Sequence, residues 1–290
     1  MRWDDFEFHN VLFFSGRNNF KRRENVNAGS HGIEELIQFA TEVIRQAGDE
    51  VSSYFGRGTP QVKFDESLVT EAELHGREFF QERLYSRFPE HQVFNNSQGS
   101  GGYTHEKKRY IWIFDPLDGV ANFQAGIPIW GISMALLDNF WPIFGVYYMP
   151  ATGDLFHARA GGSAYWGEKK ISISAQGEIN DESLLLTFSR FHTVYQTTFP
   201  GKIRDFGCTG AHICFVAMGR AEAALIANES FQDLAAVRII VEAAGGRIYK
   251  MDGSEFFLDE YMNGEKIEDP LLISPPAAFE EVRRSLKRCA

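Results

Sequence analysis

The chain has 290 residues, 44% of them hydrophobic and 23% charged, with a formal net charge of −10. That length can bury a large core, while the acidic excess leaves no broad basic field for nucleic acid or an anionic membrane. No apolar run reaches the ~18 residues of a membrane span. Three cysteines, Cys208, Cys214 and Cys289, lack metal-ligand spacing and read as reduced thiols of a cytoplasmic protein. The opening Met1-Arg2-Trp3-Asp4-Asp5 carries no signal-peptide pattern. The 26 phenylalanines predict a core built on aromatic packing.

Residues 1–30 are mixed polar and aromatic and read as an extension, followed by an α+β half over 31–150 and an α/β half over 151–290. From Ile33 the spacing of Leu36, Ile37, Ala40, Val43, Ile44 and Ala47 predicts an amphipathic helix. A second helix is predicted from about Thr70, as N-cap with Glu73 at the capping-box position, to Phe88, where Pro89 stops it. The Gly- and Asn-rich stretch 95–102 is a loop. Tyr110-Ile111-Trp112-Ile113-Phe114 predicts a buried strand that exits at Asp115-Pro116. Strands follow at 130–137, 141–149 and 154–158, then near 184–188 and 222–227. Helices are predicted near 210–218, from Asp233 to Ala244 with Gly245-Gly246 closing it, and from Phe279 to Lys287. Hairpin strands mixed with long helices predict layered α/β packing, not a doubly wound nucleotide fold.

Chemistry concentrates at Asp115-Pro116-Leu117-Asp118-Gly119. A strand driven into two carboxylates three residues apart can present both, with the Leu117 carbonyl, to a hard cation such as Mg²⁺. Gly119 can adopt a backbone closed to other residues, and N–H groups beyond it, if they open a helix, face an anion. Taken alone, the same residues also spell a common surface Asx turn.

With its surroundings this segment resembles the inositol monophosphatase family over residues 31–288. Trp112 to Phe123 is similar to that family's first signature, W-[IV]-x-D-P-[IL]-D-G-T-x-N-F, and Asp233-Leu234-Ala235-Ala236 with Glu242-Ala243-Ala244-Gly245-Gly246 resembles its second. Gly161 to Gly167 and Gly219-Arg220-Ala221-Glu222-Ala223 resemble motifs between them. The resemblance implies an αβαβα sandwich, a homodimer, and Mg²⁺-dependent hydrolysis of a small phosphate ester. It assigns Asp115, the Leu117 carbonyl, Asp118 and Asp233 to metal, Glu73 to an outer acidic position, and Asp118, Gly119, Val120, Ala121 and Ile226 to the phosphate and its alcohol.

The chain departs from the family where water is activated. Asn96 stands where the family has a metal-binding Glu, and Val120 where it has the partner Thr. An amide cannot take a proton from water and Val has no hydroxyl. The second signature's Trp is Gln232, and Ile226 occupies the place of a Glu that grips substrate hydroxyls, with Asn228 or Glu229 close by. The retained acids imply one weakly bound Mg²⁺. Three functions stay open: a divergent phosphatase, a pseudophosphatase that binds metal or phosphate ligand as a regulator, and an interaction protein that merely keeps the fold.

Overall fold

A computed structural model of the chain describes residues 32–57, 66–94, 109–173 and 179–289. The N-terminal extension, the loop with Asn96, His31 and His105 lie outside the described residues.

Five layers stack through the molecule. Helices α1 (Ile33–Ser52) and α2 (Glu66–Arg87) cover the first sheet, α5 (Thr209–Ala217) and α6 (Phe231–Ala243) lie between the two main sheets, and α4 (Phe191–Val194) and α7 (Phe279–Ser285) close the far side. This is the layered αβαβα arrangement expected from the sequence.

The α1 stripe buries Leu36, Ala40, Val43, Ile44 and Ala47 as the 3.6-residue period demands, joined by Phe39 and Val51. Helix α2 starts at Glu66, a turn earlier than expected, which puts Thr70 inside the helix instead of at its cap. The residues Glu66 to Val69 contain no glycine or proline, so nothing halts the helix before that turn. At its other end Pro89 keeps Phe88 out of the helical region.

The first sheet runs β1 (Gln92–Val93), β2 (Tyr110–Asp118), β3 (Gly131–Asp138), β4 (Trp141–Met149), β5 (Asp154–Arg159), β6 (Ala164–Trp166) and β7 (Lys169–Ile171) in chain order. It is antiparallel apart from the β1–β2 pair. The meander passes through residue 150, so the expected halves share one sheet. Along β2, Trp112 and Phe114 face α1 and α2 while Ile111 and Ile113 face α6, the two-residue period of a strand covered on both sides.

Strand β2 does not end at Asp115. Asp115 pairs with Ser133 and Asp118 with Gly131, so an extra residue is accommodated between them as a bulge. Pro116, with no N–H to give, forces that break in the ladder. The second sheet orders β10 (Lys202–Arg204), β8 (Leu184–Thr187), β11 (Ala223–Ile226), β13 (Leu271–Ser274) and β12 (Arg247–Lys250). The last predicted helix is shorter than expected: Leu286–Arg288 leave α7 as a strand, β14, to pair with β9 (Tyr195–Thr197). The three thiols are free, and no described helix is long and apolar enough to cross a membrane.

Candidate functional site

The bulge of β2 meets the first turns of α5 and α6. Gln232, in the first turn of α6, donates its amide to the Phe114 carbonyl at 2.8 Å, which fixes that helix start against the end of the strand. Asp115 follows in sequence and is 8% exposed. Among the described residues its carboxylate meets only the Leu117 N–H, at 3.5 Å. Burial, then repulsion from Asp233, Asp118 and Glu73, pushes its carboxyl well above the ordinary range.

Asp233 is not the cap of α6. Ser230 is, and Asp233 occupies the third helical position of a capping box: its N–H reaches Ser230 Oγ at 3.3 Å and its Oδ2 accepts the Ser230 N–H at 2.7 Å. Burial raises its carboxyl too, against the hydrogen bonds from Ser230.

Glu229 is one of the two residues, with Asn228, that the sequence offers in place of the Glu replaced by Ile226. It is 8% exposed, accepts the Thr209 hydroxyl at 2.8 Å, and is pushed well up by burial, then by Asp233. Two backbone hydrogen bonds with Ile267 pin it in place. Ile226, expected at a substrate-contacting position, is instead 1% exposed, paired with Leu271 and sealed in the core. An apolar side chain on a central strand goes inward, and the nearest buried acid is Glu229 in the loop before α6.

Asp118 turns toward α5. Its Oδ2 accepts from Tyr147 Oη at 2.9 Å, Cys208 Sγ at 3.2 Å and Gly210 N–H at 2.7 Å, and its Oδ1 from Thr209 N–H at 3.3 Å. Tyr147 and Cys208, both pushed well up by burial, stay protonated beside it. Neither was singled out from the sequence, since a tyrosine in a strand and a lone cysteine carry no motif.

Gly119 has φ of +81° and caps α3 (Val120–Ala125) from the left-handed region, as its type predicts. Val120 is half-buried and leans on the α1–α2 core, while Ala121 is exposed. Glu73 projects from α2 with its carboxyl raised by burial, against a lowering influence from Arg77. Four of the described histidines do structural duty: His91 Nδ1 accepts from Trp112 Nε1 and His212 Nε2 from the Phe206 N–H, both at 2.9 Å, while His157 stacks on Tyr165 and His75 pairs with Glu50.

The donors at this junction are oxygens and largely anionic, the set that a hard divalent cation prefers. Among the described residues none of Asp115, Asp233 and Glu229 has a Lys or Arg salt bridge, although Lys266 lies near enough to favour the Asp233 carboxylate. No three His, Cys, Asp or Glu side chains among the described residues are grouped to hold a metal as they stand. Asp118 and Asp233 are partly engaged by the protein's own donors. One Mg²⁺ still fits, because it is commonly held by one or two carboxylates with water or a phosphate completing its shell.

The chain thus has a layered αβαβα fold with buried acids gathered where the bulge of β2 meets α5 and α6. The model of the inositol monophosphatase family matches residues 33–279. The chain is 31% identical over 233 residues to a histidinol-phosphatase of Chlorobaculum parvum, covering 77% of this chain and 88% of that protein. It is 30% identical over 250 residues to inositol monophosphatase 3 of Solanum lycopersicum, covering 80% and 91%. A putative Nus factor SuhB of Neisseria meningitidis is 29% identical over 242 residues, covering 78% and 91%. In fold, the Thermotoga maritima IMPase superposes with a TM-score of 0.69 at 23% identity, over 87% of this chain and 96% of that one. The chain belongs to the inositol monophosphatase family.

Proposed function

We propose that this protein is a Mg²⁺-dependent phosphomonoester hydrolase of slow turnover, acting on an inositol-, sugar- or histidinol-like phosphate. The observation that carries the reading is Asp115, a carboxylate buried among Asp233, Asp118 and Glu229 with no cationic side chain bridged to it among the described residues. Clustered buried charge is costly unless a cation joins it. Asp115, Asp233 and the Leu117 carbonyl would hold the ion, which when bound stabilises the charge that gathers on the transferred phosphoryl group. Glu229, braced by Thr209, supplies the polar wall that Ile226 cannot, facing the alcohol of the ester. Asn96 and Val120 hold no proton-accepting group for water. General-base help of roughly 10²–10⁴-fold is therefore missing.

The pseudophosphatase reading has its own support in the engagement of Asp118 by protein donors, which leaves fewer ligands for metal. Phosphate release from inositol 1-phosphate, histidinol phosphate and fructose 1,6-bisphosphate separates the two. Turnover at least ~100-fold below an intact family member, but dependent on Mg²⁺ and abolished by Asp115→Asn, is expected. Turnover within about tenfold of such an enzyme refutes the loss of water activation, and none above the Asp115→Asn background leaves the protein a binder only.

A further inference from the structure

The site holds a built feature that its cation chemistry does not require. Tyr147, on β4, is 1% exposed and lies in a slot made by two glycines from different elements. A Cβ on Gly131 of β3 would fall 2.4 Å from its Cζ and Oη. A Cβ on Gly210 of α5 would fall 2.2 Å from its Cε2 and 2.7 Å from Asp118 Oδ2. The ring fits only because both positions lack a side chain, and it delivers its hydroxyl to Asp118 Oδ2 at 2.9 Å. The Cys208 thiol, 3.0 Å from the same hydroxyl, completes a triangle with that oxygen.

We propose that Tyr147 is a positioning residue that retires Asp118 from cation binding and makes its carboxylate the anchor joining the end of β2 to the start of α5. A carboxylate offers about four lone-pair sites. Here four donors reach it: the Tyr147 hydroxyl, the Cys208 thiol and the Gly210 N–H crowd Oδ2, and the Thr209 N–H meets Oδ1 at 3.3 Å. Those two N–H groups belong to the first turn of a nine-residue helix, where a negative charge is stabilised by unpaired amides. A buried tyrosine hydroxyl needs a partner, so a cation taking Oδ2 would have to displace Tyr147 into a slot with no room to turn. The metal site is thereby reduced toward Asp115 and Asp233. The cation half of this inference rests on the Mg²⁺ reading above, and the anchor half stands without it.

Thermal melting of the full chain in EDTA decides the anchor half by sign. A carboxylate that merely repels Asp115 and Asp233 gives a higher Tm when neutralised, as Asp115→Asn is expected to. An anchor gives a lower one. Asp118→Asn is expected to lower Tm, because an amide presents one donor group to a ring of donors. Tyr147→Phe, which keeps the ring in its slot, is expected to lower Tm by roughly 3–10 °C and decides the matter if the Asp118 variant does not fold. A rise or no change in Tyr147→Phe overturns the anchor. For the cation half, Mn²⁺ binding followed by electron paramagnetic resonance is expected to weaken less than about threefold in Asp118→Asn but at least about tenfold in Asp115→Asn. Loss of Mn²⁺ binding in Asp118→Asn overturns it. If wild type binds no Mn²⁺, the Mg²⁺ reading fails and the melting result alone decides the anchor.

Discussion

Gly210→Ala tests the slot around Tyr147 most directly. The added Cβ would sit 2.2 and 2.6 Å from ring carbons of Tyr147, well inside ordinary contact, and the ring is flanked on its other side by Gly131, where a Cβ would fall 2.4 Å from it. Overpacking of this kind costs about 1–3 kcal/mol. Shifting the ring also breaks a hydrogen bond to a carboxylate, about 1.5–3 kcal/mol. Against these, alanine in a helix gains about 1 kcal/mol over glycine. The net expectation is a loss of about 1.5–5 kcal/mol, or roughly 3–20 °C in Tm for a chain of this size. Thermal melting of Gly210→Ala, Tyr147→Val and the double variant closes a mutant cycle. Tyr147→Val alone opens a cavity costing about 2–4 kcal/mol, and the methyl group that Gly210→Ala introduces partly fills it. The double variant should therefore be less destabilised than the sum of the singles by at least ~1.5 kcal/mol. Additivity within about 0.5 kcal/mol would refute the wedge.

Two further outcomes follow from the acid cluster. The folded state of Asp115 holds its proton to higher pH than the unfolded chain does, so in EDTA wild-type stability should fall as pH rises past the ordinary aspartate range near ~3.9. Burial, Asp233, Asp118 and Glu73 all act in that direction, and Asp115→Asn should flatten the profile. Identical pH profiles by differential scanning fluorimetry would contradict it. Separately, Asn96→Glu combined with Val120→Thr should raise Mg²⁺-dependent phosphate release at least ~10-fold, with either change alone doing little, since a base and the group that orients its water act as a unit. A folded, cation-binding double variant with no gain would move the defect to the engagement of Asp118.

Much of this protein is legible from local pattern. The α1 stripe, the buried β2 run through Trp112 and the strands at 141–149 and 154–158 each follow from a hydrophobic period that a solvent-shielded helix or strand must satisfy. Asp115, Asp118 and Asp233 could be named because two motifs carry them in order. What escaped is decided between elements distant in sequence. The bulge depends on how Pro116 meets the ladder of β3, and the strand ending of α7 depends on β9. Ile226 is sealed away because β11 lies at the centre of a sheet, where its side chains go into the core. Tyr147, Gly131, Gly210 and Cys208 come from separate parts of the chain up to 79 residues apart (131 to 210). Each alone is an ordinary residue, and only packing brings a hydroxyl, a thiol and two amides to one carboxylate. The sequence therefore determined which acids exist, and the tertiary structure decided which of them meet hydrogen-bond donors, because those donors reach Asp118 only once the sheet and α5 are packed together.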